Sequence, residues 1–351
     1  MAYPTPPDSK SAVNRAGRAI ADGSASNKEI LEVDRWRSSH GYVINTFQAW
    51  IKGHISRREE FVEFAQRLKR RNTVINKLQR KNSLGAPLIS DVTGMHDFAG
   101  CRMIFDNVNE LMSFRTYMHS PAVMKSVDHE LRHVADKYDY IATPKSSGYR
   151  GIHDVYKHFP RGSKRREAKK PWDGLLVEIQ YRTRAQHAWA TAVEISDLLD
   201  GEQTKFELDT TERGKFFAVT SEIIARKVEG LTRAFPDKST AELEVELERL
   251  ETKLGILRRL ELLRQFEVED QLQEHNVLSI SKLSNGELKL QVTPFKMAAP
   301  AIQYATDLEE SGSSVNAVYV RSENPKQLRS AYRNYFYDPI DFVEMIRTQV
   351  G

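Results

Sequence analysis

Between residues 98 and 199, short β-branched and aromatic runs alternate with helix-like segments, and this alternation limits the chain to a sheet with helices on its faces. FAGCRMIF (98–105) reads as a buried strand and VNELMSFRTYM (108–118) as a helix. GIHDVYKHF (151–159) alternates as a strand does. GLLVEIQYR (174–182) is a third strand, running straight into a helix from Ala185 to about Leu199. The expected class is α/β.

The flanks read differently. Residues 1–28 begin Pro-, Ser- and Ala-rich and are expected to be loose at the start. From about Lys28 to Arg80 the pattern is helical, with Phe47, Trp50, Ile51 and His54 at helical spacing and Phe61, Phe64 and Leu68 continuing it. A helical regime begins near Thr210, with leucines near heptad spacing after Ala241, as in a helical arm or short coiled-coil hairpin. Beyond Asn276, VLSISKLSNGELKLQV places Asn285-Gly286 between two alternating runs, a hairpin signal. A helix (about 299–310), a strand (NAVYVRS) and a last helix (about 325–349) complete a small α+β module. The expected division is 1–209, a helical connector at 210–272, and a C-terminal domain at 273–351.

One cysteine, Cys101, excludes an internal disulfide framework and a Cys-based zinc cluster, and suits a reducing compartment. The N-terminus carries no secretory pattern, and no apolar run approaches the roughly 20 residues of a membrane helix. A cytoplasmic protein with no membrane partner is expected. Net charge is only +4, yet RGSKRREAKK (161–170) holds six basic residues and one acid. Such a lopsided run suits a polyanion such as RNA, with Lys164, Arg165 and Arg166 at its centre.

Four stretches carry residues suited to phosphate chemistry. In RLKRRNTVINK, Arg67, Lys69 and Lys77 are cations, and Lys69, Thr73 and Lys77 share one face if a helix persists there. In HDFAGCR, Asp97 enters a strand and Arg102 lies within it; the acid could hold Mg²⁺ or cap a turn. PKSSGYRGIHDVY (144–156) is either a surface turn or a binding loop, with Tyr149 as a stacking platform and Lys145 and Arg150 facing anionic groups. In LLVEIQYRT, Glu178 sits in an otherwise apolar strand beside Gln180, where a carboxylate is costly unless paired or metal-bound.

The ordered set RxK…K, DxxGxR, DYIxxPKxxGYRxIH and VEIQxRTxxQHxWA, over roughly residues 60–200, is similar to the synthetase domain of the RelA/SpoT family. The resemblance implies a mixed sheet flanked by helices, related to nucleotidyltransferases, and transfer of pyrophosphate from ATP to a nucleotide 3′-hydroxyl with release of AMP. It implies that Asp97 and Glu178 hold Mg²⁺ and that Glu178 acts on the attacking hydroxyl. Arg67, Lys69, Lys77 and Arg102 would clamp the ATP phosphates. Tyr149 would stack on the acceptor base, with Lys145 and His153 near its phosphates or ribose.

Departures from the family's alarmone makers bear on the acceptor. Tyr138-Asp139-Tyr140 stands where those proteins typically have Lys-Asp-Tyr, Ser147 replaces an Asn, Gly151 replaces a Ser, and Thr191 replaces a Glu. Losing a cation and an amide suits free guanosine phosphates less. The chain resembles the toxic branch, whose members act on the tRNA CCA end. Tyr332 and Tyr335, at i and i+3 in SAYRNYFYDPIDFVEMI, resemble the pair by which the fused antitoxin domain of CapRel-type proteins occludes the ATP site; core packing would place them equally well. The resemblance thus implies ATP, a tRNA acceptor end and a phage protein trigger, such as a capsid protein, as partners, with a monomer expected. The alternatives are a (p)ppGpp synthetase acting on GDP or GTP, and a catalytically inactive RNA-binding or phage-sensing module.

Overall fold

A computed structural model of the chain describes residues 3–60, 62–69, 71–82, 84–159, 161–162, 169–200, 211–232, 234–262, 273–282, 288–311, 316–321 and 339–350. Two compact units emerge. One comprises Met1–Phe105, Asn109–Tyr138 and Ile152–Tyr181; the other comprises Asp106–Val108, Asp139–Gly151 and Arg182–Gly351.

The first unit starts with α1 (Lys10–Ala21), inside the stretch expected to begin loosely. Ser9 Oγ accepts from Ala12 N at its start, and Val13, Ala16, Gly17, Ile20 and Ala21 form a buried stripe at helical spacing. Gly17 permits a close approach: a Cβ there would lie 1.9 Å from Val92 Cγ2. A capping box between Ser26 and Glu29 opens α2 (Asn27–Ile55), which buries Val33, Trp36, Val43, Phe47 and Ile51. Each fully buried aliphatic or aromatic side chain contributes roughly 1.5–3 kcal/mol.

The helical expectation fails beyond Ile55. Phe64 and Leu68 belong to β1 (Val62–Leu68), antiparallel to β2 (Ala99–Phe105) with Phe64 opposite Met103 and Leu68 opposite Ala99; Phe61 lies outside the described residues. Phe64, Gln66 and Leu68 also satisfy a period of two, and a partner strand some thirty residues downstream decides in favour of the sheet. Then follow α3 (Arg71–Leu78), α4 (Val108–Met118), the short α5 (Pro121–Met124), β3 (Glu130–Leu131), β4 (Ile152–Lys157) and β5 (Leu176–Thr183). The strands form a mixed sheet in the order β1-β2-β5-β4-β3, flanked by helices as expected.

Pairing parity sorts the side chains. Phe105 stacks on Tyr181 at 6.4 Å and meets Phe114 of α4 at 5.5 Å, while Tyr156 faces Phe47 of α2 at 6.0 Å. These contacts define the helix-covered face, which also takes Cys101, Met103 and Asp154. Arg67, Gly100 and Arg102, with His153, Glu178 and Gln180, take the opposite face.

In the second unit, α6 (Arg184–Asp200), α7 (Glu212–Lys227), α8 (Thr240–Leu254), α9 (Ile256–Leu262) and α11 (Ile340–Val350) enclose a core that includes Trp189, Phe217, Leu247, Leu250 and Phe342. The heptad leucines Leu243, Leu247 and Leu250 are thereby buried, and Gly255, at φ 60°, ends α8 in the left-handed conformation that favours glycine. The predicted hairpin forms between β6 (His275–Lys282) and β7 (Leu288–Phe295), with Asn285 and Gly286 outside the described residues. β8 (Asn316–Arg321) pairs with the other edge of β6, and α10 (Ala298–Glu310) packs on this sheet. Among the described residues no helix is long and apolar enough to cross a membrane.

Candidate active site

The lysines arrive by a route the sequence did not suggest. Lys69 lies beyond the end of β1, where its backbone N–H donates to Phe98 O at 2.8 Å and extends the ladder by one step. Lys77 sits in the last turn of α3. No common helix face joins them, yet both ammonium groups reach Asp97 Oδ2, at 2.6 and 2.9 Å. Burial opposes ionisation of Asp97, but the two lysines more than offset it, and its carboxyl lies well below the usual range. Lys69 is pulled down to about 8 by burial, because one carboxylate does not offset both desolvation and the neighbouring Lys77 and Arg67. The ionised Asp97 is the firmer of the two states, since positive groups converge on it, the Arg80 charge among them. Arg67 (opposite Gly100) and Arg102 (opposite Ala65) project from the same sheet face.

Glu178 is fully engaged. Its Oε1 pairs with His153 Nδ1 at 3.0 Å, and its Oε2 accepts from Gln180 Nε2 at 2.6 Å. The β4–β5 register sets Val155 opposite Glu178 and His153 opposite Gln180, so the histidine is the diagonal neighbour on the same face. Burial raises the Glu178 pKa, but His153, by charge and hydrogen bond, and Gln180 bring it down to about 2. The carboxylate is ionised at neutral pH and is a weak base. It suits cation binding and orientation of a hydroxyl better than storage of a proton.

Asp97 and Glu178 line one cavity of about 430 Å³, together with Lys77, Asp91, His96 and other residues between Leu88 and Met95. Sequence reasoning missed the 88–96 wall. Its one local signal is DVTG, where Asp91 Oδ1 accepts from Gly94 N at 2.9 Å and from Thr93 Oγ1 at 2.7 Å to form a tight turn. Asn14 of α1 clasps Thr93 through its backbone N–H at 2.9 Å, which fixes the wall from behind. His96 is depressed by burial and then by the Arg132 charge.

The donors fit Mg²⁺. Asp97 Oδ1 is buried with no hydrogen-bond partner among the described residues, while Oδ2 alone carries both lysines. Among the described residues no group of three or more His, Cys, Asp or Glu gathers to cage a metal, whereas Mg²⁺ takes one or two carboxylates with waters and substrate phosphates.

The loop at 144–151 belongs to the second unit. Tyr149 is half-buried, edge-on to Tyr140 with centroids 5.8 Å apart. Lys145 Nζ lies 4.4 Å from the Tyr140 ring and 5.4 Å from that of Tyr149. Arg182 donates a fork to Tyr149 Oη, at 3.2 and 3.0 Å; sequence reasoning missed it, although it stands in the quoted QYRT run. The expectation that Arg150 faces an anionic ligand is corrected. Its guanidinium is buried and donates to Glu222 Oε2 of α7 at 2.5 Å, an internal ion pair 72 residues apart in sequence. Lys164, Arg165, Arg166, Tyr332 and Tyr335 lie outside the described residues.

Three comparisons place these features. Residues 66–196 match the family model described as the region found in RelA / SpoT proteins. GTP pyrophosphokinase YwaC of Bacillus subtilis (strain 168) is 31% identical over 127 residues, which is 36% of this chain and 52% of that protein, so the chain spans about half the length of this curated relative. Among solved structures, small alarmone synthetase 1 from Bacillus subtilis bound to its product pppGpp aligns over 56% of this chain and 95% of its own, at 23% identity and a TM-score of 0.38. The same protein bound to AMPCPP aligns over 67% and 98%, at 16% identity and a TM-score of 0.33. Lys69, Lys77, Asp97, Tyr149 and Glu178 all lie within the residues that match this model.

Proposed function

We propose that the chain is an ATP-dependent pyrophosphokinase. The observation that carries this reading is two carboxylates, Asp97 and Glu178, on one cavity with Lys77, within the segment that matches the RelA/SpoT region. The acceptor 3′-oxygen attacks the β-phosphorus of ATP, the bond from that phosphorus to the α-phosphate bridging oxygen breaks, and AMP leaves with the electron pair. Lys69, Lys77, Arg67 and Arg102 neutralise the phosphate charge that spreads in this step. Asp97 and Glu178 would hold Mg²⁺, which when bound supplies charge neutralisation on the phosphate oxygens. Glu178, kept ionised by His153 and Gln180, accepts a hydrogen bond from the attacking hydroxyl, whose proton passes to solvent as the new bond forms. Tyr149 stacks on the acceptor base, and Lys145 meets its phosphates.

For the acceptor we infer the 3′ end of tRNA. Tyr138, Ser147 and Gly151 remove polar groups suited to a free guanine nucleotide, and the basic run 161–170 suits an RNA backbone. The second reading is a guanine nucleotide acceptor, favoured by the relationship to a GTP pyrophosphokinase. Purified chain with γ-labelled ATP and either bulk tRNA or GDP and GTP separates them. Label in RNA supports the first, label in nucleotide supports the second, and no AMP release in either mixture, from the unaltered chain and from Tyr332→Ala alike, removes the enzyme.

We further propose that the division into 1–209, 210–272 and 273–351 is functional, with the last part restraining the enzyme through Tyr332 and Tyr335 until a phage protein binds it. Expression of Tyr332→Ala or Tyr335→Ala should then halt bacterial growth where the unaltered chain is tolerated. Equal growth of all three would remove the restraint.

A further inference from the structure

Buried charges of the second unit converge behind the loop that carries Tyr149. Gly148, at φ 86°, lies against α7 so closely that a Cβ there would sit 2.9 Å from Ala218 Cα and 3.1 Å from Phe217 O. Ser221 Oγ donates to Gly148 O at 2.5 Å. One residue beyond Tyr149, Arg150 enters the core and donates to Glu222 Oε2. Glu222 is fully buried and has two further donors: Arg226 Nε at 3.0 Å on Oε1 and Ala234 N at 3.1 Å on Oε2. Arg226 is itself fixed by the carbonyls of Phe235 and Lys238, at 2.6 and 2.7 Å. Tyr149 thus stands between two residues, Gly148 and Arg150, that are both locked to one turn of α7.

We propose that Glu222 is a positioning residue for the acceptor platform: through Arg150 it sets the height and tilt of Tyr149. This rests on the reading of Tyr149 as the acceptor-stacking residue, and it explains why the loop's basic residue is spent inside the protein rather than on the ligand. Two charges taken out of water need each other, and Glu222 answers the Arg150 charge while its own oxygens are held by Arg226 and Ala234 N. The pair is therefore a stiff link, and stiffness is what a stacking surface needs to hold a base in register.

The test uses the full-length protein and three variants: Glu222→Gln, Arg150→Gln and the double variant. Glu222→Gln keeps the shape and its acceptor oxygen while removing the charge. Steady-state kinetics with the acceptor that the unaltered protein modifies, GTP or bulk tRNA, should show KM for that acceptor raised about tenfold. The kcat and the affinity for a non-hydrolysable ATP analogue should stay within about twofold. The double variant should be no worse than either single one, because all three break the same link. Unchanged acceptor KM, a parallel loss of ATP-analogue affinity, or additive losses in the double variant would each overturn the proposal. Amide hydrogen exchange of 144–151, compared with 97–105, gives a readout independent of any reaction. Glu222→Gln should speed exchange in the loop about tenfold and leave β2 unchanged, and equal rates in the loop would overturn the link. Loop exchange that speeds while neither the unaltered protein nor Tyr332→Ala modifies an acceptor would refute the pyrophosphokinase reading and sustain the link.

Discussion

His129 makes the first unit sensitive to acid, by an amount that follows from its surroundings. The ring is buried, stacked on Phe47 at 4.3 Å, and its Nδ1 accepts the backbone N–H of Phe159 at 2.9 Å. A proton on Nδ1 would break that bond and place a charge among Phe47, Trp50 and His158. Burial, and then the neighbouring His158, accordingly lower its pKa from 6.5 to about 3. A folded-state pKa below the unfolded value means stability that is complete above pH 6.5 and drains as pH falls toward the folded value. At pH 5 the unfolded chain is protonated at this site and the folded one is not, so 1.5 pH units at about 1.4 kcal/mol each give a loss of about 2 kcal/mol. His40, buried and lowered to about 4 first by desolvation, loses a similar amount over the same interval.

The discriminating variant is His129→Asn, whose side-chain oxygen can accept from Phe159 N without titrating. Urea unfolding followed by tryptophan fluorescence at pH 7 and pH 5 measures the difference, with Trp50 as local reporter 5.2 Å from His129. The variant starts less stable because it lacks the stacked ring, so the comparison lies in the change between the two pH values. The unaltered protein should lose about 2 kcal/mol more than the variant over that interval. Asp97 and Glu178, both held below the ordinary carboxylate range, lose their stabilisation mainly below pH 5 and cancel in the comparison. Equal losses in the two proteins would refute the argument.

Other perturbations have equally definite outcomes. Glu178→Gln and Asp97→Asn should each lower AMP release by about 10²-fold or more, measured under saturating ATP and Mg²⁺. Tyr149→Ala should raise the acceptor KM by roughly the 1–3 kcal/mol of a lost stacking surface, whereas Tyr149→Phe, which forfeits only the Arg182 fork, should cost less. Gly148→Ala forces a Cβ into the α7 backbone at a positive φ and should lower Tm by several degrees in calorimetry, as for a loss of about 1–3 kcal/mol.

Legibility followed the distance over which a residue's partner is chosen. β2, β4, β5, α4 and α6 were readable because their apolar spacing is local, and Glu178 stood out because an acid in an apolar strand is costly wherever its partners are. β1 was hidden because FVEFAQRL satisfies two periods at once, and only pairing with β2 separates them. The lysine stripe named two residues that do meet at Asp97, but not along one helix face, since Lys69 follows β1 and only Lys77 belongs to α3. Arg150 was misread because its partner lies 72 residues away on a helix whose own sequence gives no sign of a buried acid's purpose. The cavity wall at 88–96 has irregular backbone and therefore no period to detect.

Consecutive residues of β4 serve opposite faces of the sheet, and this links register to chemistry. His153 points to the cavity side and holds Glu178, while Asp154 points to the helix side, where Arg115 of α4 donates a fork at 3.1 and 2.9 Å and His119 Nε2 lies 2.7 Å from its carboxylate. Asp154 is fully buried and keeps only His119 as a charged partner once Arg115 is removed, a loss of up to about 3–5 kcal/mol. A slip of β4 by one residue would drive His153 into the layer of Phe105 and Tyr181, away from Glu178, and turn Asp154 out to the cavity side, exchanging every side chain of that strand at once. The Asp154–Arg115 fork penalises that slip from the side away from the site. The histidine that holds Glu178 is therefore secured by an ion pair that never meets substrate, and damage to Arg115 should appear as lost stability and misplaced His153 before it appears as altered phosphate binding.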